Sequence, residues 1–158
     1  MSKRRVVITG LGVLSPVGIG VAQNWESLLS GRTGIGTITR FDATGFPSMI
    51  AGEVKNFDVT QFGISDKEAR RMDRFIQLGM AAAVEAIKDS GLVVTEQNAE
   101  RIGVHIGAGI GGVGTIEDTT RVMLEKGHRR VSPFYIPMSI INMISGDLSV
   151  MYGMQGPN

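Results

Sequence analysis

The chain has 158 residues, 42% of them apolar and 20% charged, with a net charge of +1. That is one domain's length with enough apolar material for a real core, too ordered in composition for a disordered tail and too neutral for a general nucleic-acid binder. It has no cysteine, which excludes disulfides, thiolate metal sites and a cysteine nucleophile within these residues; its two histidines, His105 and His128, are too few and too far apart for a metal site.

The N-terminus does not read as a signal peptide, and no stretch approaches the ~20 apolar residues of a membrane span. A soluble, cytoplasmic protein is the expectation, with no metal or cofactor and neither nucleic acid nor membrane as partner.

In chain order, residues 5–9 (RVVIT) are β-branched and continuously apolar, which predicts a strand buried on both faces of an α/β sheet. Val21, Trp25, Leu28 and Leu29 recur at helical spacing with Gly31 placed to end the helix, and Trp25 is expected in the core. Residues 49–54 have the pattern of an edge strand. Ser65 with Glu68 three residues on forms a capping box, and Met72, Phe75, Ile76, Gly79, Met80, Ala83, Ala86 and Ile87 extend a helix from it to Gly91.

Residues 101–107 (RIGVHIG) predict a second buried strand, with His105 a packed histidine. A glycine-rich turn then leads into a helix over residues 115–126, ended by Gly127. Residues 132–137 (SPFYIP) predict a loop, because prolines break helix interiors and restrict the residues before them. Ile140, Ile141, Ile144, Leu148 and Met151 mark a last amphipathic helix ending at Gly153. No repeat or linker interrupts the chain, which reads as one domain or a piece of one.

Two motifs invite chemistry. Gly107, Gly109 and Gly112, between a strand and a helix, satisfy the dinucleotide fingerprint. The acidic residue expected about 20 positions on is missing, and basic, proline-broken sequence stands in its place, so a turn that packs strand, helix and ligand wall closely is the better reading. Lys67, Arg70 and Arg71 crowd the first two turns of the long expected helix, where the macrodipole favours acids. They read either as a docking patch for an acidic partner or as a solvated face balanced by Asp66, Glu68 and Asp73. Arg129 and Arg130 would enlarge the patch if folding brought them near.

Taken in order, residues 4–18 (RRVVITGLGVLSPVG), 67–73 (KEARRMD), 109–112 (GIGG), 132–137 (SPFYIP) and Asn142-Met143 through Met151-Tyr152-Gly153 with Gly156-Pro157 resemble the β-ketoacyl-acyl carrier protein synthase II family over the whole length. The resemblance implies a thiolase-like fold with α-β-α-β-α layers, of which this chain covers most of the first half, lacking its final strand and the second half. It implies fatty-acid elongation by a homodimer, through a cysteine thiolate and two histidines, none of which falls within these residues, so the chain alone is expected to be inactive. By the same resemblance Ile110 gates the acyl pocket, Phe134 and Tyr135 line it across the dimer, and Lys67, Arg70, Arg71, Arg129 and Arg130 dock the acidic acyl carrier protein, with acyl and malonyl thioesters as substrates. Tyr135 departs from the phenylalanine common in that family. The alternatives are a non-catalytic, cysteine-less partner of a condensing enzyme and a piece of a dinucleotide-binding oxidoreductase.

Overall fold

A computed structural model describes residues 3–158. Along the chain run β1 (Leu14–Ser15), β2 (Gly18–Ile19), α1 (Val21–Leu29), β3 (Ile35–Thr37), β4 (Ile50–Gly52), α2 (Asp66–Ala69), α3 (Arg74–Ser90), α4 (Val113–Lys126), α5 (Tyr135–Ser139) and α6 (Met143–Tyr152), with 3-10 turns at Val59–Phe62, Ala99–Arg101 and His128–Arg130. They divide into two units: residues up to 58 with 84–91, and residues 59–83 with 92–158. Helix α3 gives its first part to the second unit and its last part, from Val84, to the first.

In the first unit, β1 and β2 form a tight antiparallel hairpin that pairs Leu14 with Ile19 and Ser15 with Gly18. Helix α1 starts after Gly20, whose φ of 87° is open to glycine and costly for residues with a Cβ. No side chain of its own caps α1. Glu85 does so from α3: one carboxylate oxygen accepts the Val21 N–H at 2.8 Å and the other the Val13 N–H at 2.9 Å, while Asp89 accepts the Leu11 N–H at 2.8 Å. The buried face of α1 is polar. Asn24 donates to the Gly18 and Gly20 carbonyls at 2.8 Å each and accepts from the Ser15 hydroxyl. Trp25, expected in the core, is 62% exposed instead, because Asn24, not Trp25, faces inward to the Gly18 and Gly20 carbonyls. The edge strand expected over 49–54 forms as β4, antiparallel to β3.

In the second unit, α3 touches α6 where Gly79 meets Ile144. Ile76, Met80, Ala81, Ile144 and Leu148 are buried, Ile76 completely. Gly79 permits the approach, since a Cβ there would strike the Ile144 side chain. Helices α4 and α6 end at Gly127 and Gly153, as their sequence spacing predicts.

Several expectations are corrected. The helix foreseen from Ser65 to Gly91 is two helices. The capping box forms as expected at the start of α2, but the chain leaves the helix at residues 70–73, and Asp73 caps α3 afresh by accepting the Phe75 N–H. Gln77 donates to the Ala69 and Met72 carbonyls across the break, at 3.0 Å each. Lys67, Arg70 and Arg71 therefore sit on a four-residue helix and its exit turn. Residues 135–137 of the expected loop are helical, forming most of α5. Pro137 is accommodated because it occupies the first turn of α5, where an N–H has no partner within the helix.

Neither expected buried strand joins a ladder among the described residues. Residues 5–9 form no helix, strand or turn, with Val6 88% and Ile8 83% exposed. Residues 102–106 lie against 156–157, with the Gly156 N–H donating to Ile102 and the Val104 N–H to Pro157, both at 3.0 Å. Val104 is buried and His105 exposed, contrary to the packed histidine expected. An extended segment becomes an inner strand only when neighbours pair both its edges.

If Glu85 holds the hairpin to α1, Glu85→Ala lowers stability by about 2 kcal/mol, read as a lower urea midpoint. Glu26→Ala, on the exposed face of α1, leaves it within about 0.5 kcal/mol.

Candidate functional site

A cavity of about 650 Å³ opens in the second unit between α2 with its exit turn, the start of α5, and α6. Its wall is largely hydrocarbon and thioether: Ile64, Met72, Met80, Pro137, Met143 and Met151, with Phe134 at its edge. The Arg71 guanidinium carbon lies 4.5 Å from the centre of the Phe134 ring, a cation-π contact. It joins the exit turn of α2 to the aromatic-proline segment.

Three charged groups line the cavity: Glu68, Arg71 and Asp147. Glu68 is committed to the capping box, accepting from the Ser65 N–H at 2.9 Å and from its hydroxyl, and these hydrogen bonds hold its carboxyl below the usual range. Asp147, half-buried on α6, has no side-chain hydrogen bond or ion pair among the described residues, and burial pushes its pKa up. Sequence reading passed it over. Its signal was an acid midway between Met143 and Met151 on one face of an apolar helix.

Of the three expected acyl-pocket residues, Phe134 lines the cavity; Tyr135 and Ile110 do not, and Ile110 is 76% exposed. All five expected docking cations, Lys67, Arg70, Arg71, Arg129 and Arg130, are exposed. None of the five forms an ion pair among the described residues. Arg130 precedes Phe134 by four residues, so at most about 14 Å of chain separates it from the ring on which Arg71 rests.

The glycine turn that imitates a dinucleotide fingerprint is closed to a pyrophosphate. The Gly112 N–H donates to the Ser139 carbonyl at 3.0 Å. Asp73 accepts from the Thr115 N–H at 3.1 Å and its hydroxyl at 2.6 Å. A carboxylate thus fills the place at the start of α4 where a phosphate would sit, and would repel one.

Solved structures place this arrangement among the ketosynthases, with their thiolase-like fold. The ishigamide ketosynthase/chain length factor aligns with a TM-score of 0.82 at 30% identity, over 99% of this chain and 39% of that one. A type II PKS acyl-carrier protein in complex with its ketosynthase gives 0.80 at 27%, over 98% and 41%. A β-ketoacyl synthase from Burkholderia phymatum, at 24% identity, shares the fold with a TM-score of 0.79, over 98% and 38%.

The chain belongs to the β-ketoacyl synthase family, matching its N-terminal domain over residues 3–158. It is 55% and 56% identical over 158 residues to the proteins named 3-oxoacyl-(acyl-carrier-protein) synthase 2 of Vibrio harveyi and Vibrio cholerae, and 50% identical to that of Synechocystis. All of this chain is covered in each comparison, and it spans 38% of the length of these relatives.

The native state binds the Asp147 proton more tightly than the unfolded chain, so stability falls as pH rises from the ordinary 3.8 through the raised native value. Asp147→Asn is expected to raise the melting temperature at pH 7 and to lose that advantage near pH 3; an equal effect at both pH values would show that burial of the charge is not the cause.

Proposed function

We propose that the protein to which this chain contributes an N-terminal domain is an elongating β-ketoacyl-acyl carrier protein synthase of fatty-acid biosynthesis. The observation that carries the reading is the Arg71–Phe134 contact at the edge of an apolar cavity, in a chain that also exposes Lys67, Arg70, Arg129 and Arg130 and is half-identical to proteins named as such synthases. A rival reading, a non-catalytic partner of a condensing enzyme, accounts less directly for that identity.

Carrier protein is acidic, and Lys67, Arg70, Arg71, Arg129 and Arg130 offer it a complementary surface. Such charges act mainly on encounter rate and register. A ketosynthase of the same fold, solved in complex with an acyl-carrier protein, supports that class of partner. Phe134, Tyr135 and Ile110 would meet the acyl chain in the whole protein, Phe134 and Tyr135 across a homodimer, in keeping with the apolar walls that such ligands need.

In the reaction, a cysteine thiolate takes the acyl group from one carrier thioester and releases the carrier thiol. Malonyl carrier then loses carbon dioxide, its carbanion attacks the acyl-cysteine carbonyl, and the thiolate leaves as β-ketoacyl carrier forms. Residues 1–158 contain no cysteine, so they contribute recognition and not the nucleophile.

The exposed segment 5–9 and the partly buried segment 101–107 become inner strands of the α-β-α-β-α layers when the rest of the protein pairs with them. Burying Val6, Val7 and Ile8 is worth roughly 1.5–3 kcal/mol each. The protein acts in the cytoplasm; among the described residues no helix is long and apolar enough to cross a membrane.

In the whole protein, Lys67→Glu with Arg70→Glu is expected to raise KM for the carrier protein about tenfold, with kcat within about twofold and the effect shrinking as salt rises. An unchanged KM would overturn the docking surface. The 158-residue chain by itself is expected to yield no condensation product from acyl and malonyl carrier protein.

A further inference from the structure

The cavity of the second unit holds a charge that neither the fold nor the proposed condensation uses. Met143, Asp147 and Met151 follow one another at four-residue spacing on α6 and all line the cavity. The other charged groups of the lining are engaged, Glu68 with Ser65 and Arg71 with Phe134. Asp147 is half-buried with no counter-ion among the described residues.

A carboxylate partly removed from water without a partner is costly, and a cation brought to it removes that cost. The surrounding methionines are deformable and polarizable, suited to an alkyl or aryl body of varied shape. A volume of about 650 Å³ accommodates a molecule of that kind.

We propose that this cavity binds an amphipathic cation, an apolar body carrying one ammonium group, with the ammonium against Asp147 and the body among Met80, Met143 and Met151. Phe134, proposed above to meet the acyl chain, also lines this cavity, but a fatty acyl tail has no charge to offer Asp147, and a fatty carboxylate is repelled by it.

Three ten-carbon probes, decylammonium, decanol and decanoate, each titrated below its micelle concentration into protein labelled at the methionine methyls, decide the matter. Decylammonium is expected to bind about tenfold more tightly than decanol, decanoate more weakly than either, and the Met80, Met143 and Met151 methyl resonances to shift together. Asp147→Asn should bring decylammonium to the affinity of decanol and leave decanol unchanged. The proposal is overturned if decanol or decanoate equals or exceeds decylammonium, if the methyls that shift lie outside the cavity, or if Asp147→Asn keeps the preference. Should Asp147→Asn fail to fold, the ranking of the three probes on the unsubstituted protein decides alone. Tighter binding of decanol would favour an uncharged acyl tail as the occupant, leaving the carrier-docking surface untouched.

Discussion

Several backbone amides in this domain, those of Leu11, Val13, Val21, Phe75 and Thr115, are satisfied by carboxylates from the vicinity of one helix. The glycine-rich segments from Leu11 to Val21 and from Gly111 to Thr115 carry N–H groups that no ladder of useful length pairs, and a buried amide left open costs about as much as a lost hydrogen bond. Glu85 and Asp89 on α3 answer the first segment. Asp73, just before α3, answers the second and caps its own helix as well. Glu85 and Asp73 also meet the N-terminal amides of α1, α3 and α4, where the backbone field favours negative charge.

The same constraint shapes the surface. Because Asp73 turns to Thr115 and caps α3 anew, residues 70–73 leave the helix, and Arg71 is free to lie over Phe134. A cation that would have been one of several on a helix face instead edges an apolar cavity. A charged, exposed patch thereby adjoins a half-buried, methionine-lined space.

What most distinguishes this domain from a self-sufficient one is its extended backbone. Residues 5–9 expose consecutive apolar side chains, and residues 102–106 are held by a few bonds to 156–157 and to the Ser145 hydroxyl. Relatives more than twice as long as this chain have the same sequence pattern at over half of its positions. In such proteins a continuously apolar strand is an instruction to be covered on both faces.

Helix starts and stops were legible from residues alone wherever a local interaction decides them: the Ser65–Glu68 capping box and the ends of α1, α4 and α6 at or just before Gly31, Gly127 and Gly153. So was the family, since five ordered blocks specify a fold more narrowly than any one periodicity. The exposure of the cationic cluster could be read as well, because long charged side chains rarely go inside unpaired. Tertiary structure decided the rest. The break before Asp73 depends on Thr115, 42 residues away. The outward turn of Trp25 depends on the carbonyls that Asn24 satisfies, and the lone charge of Asp147 on the engagement of Glu68 and Arg71 elsewhere. Each of these turns on which partner reaches a group first, and a linear pattern records a residue's preferences without recording its neighbours.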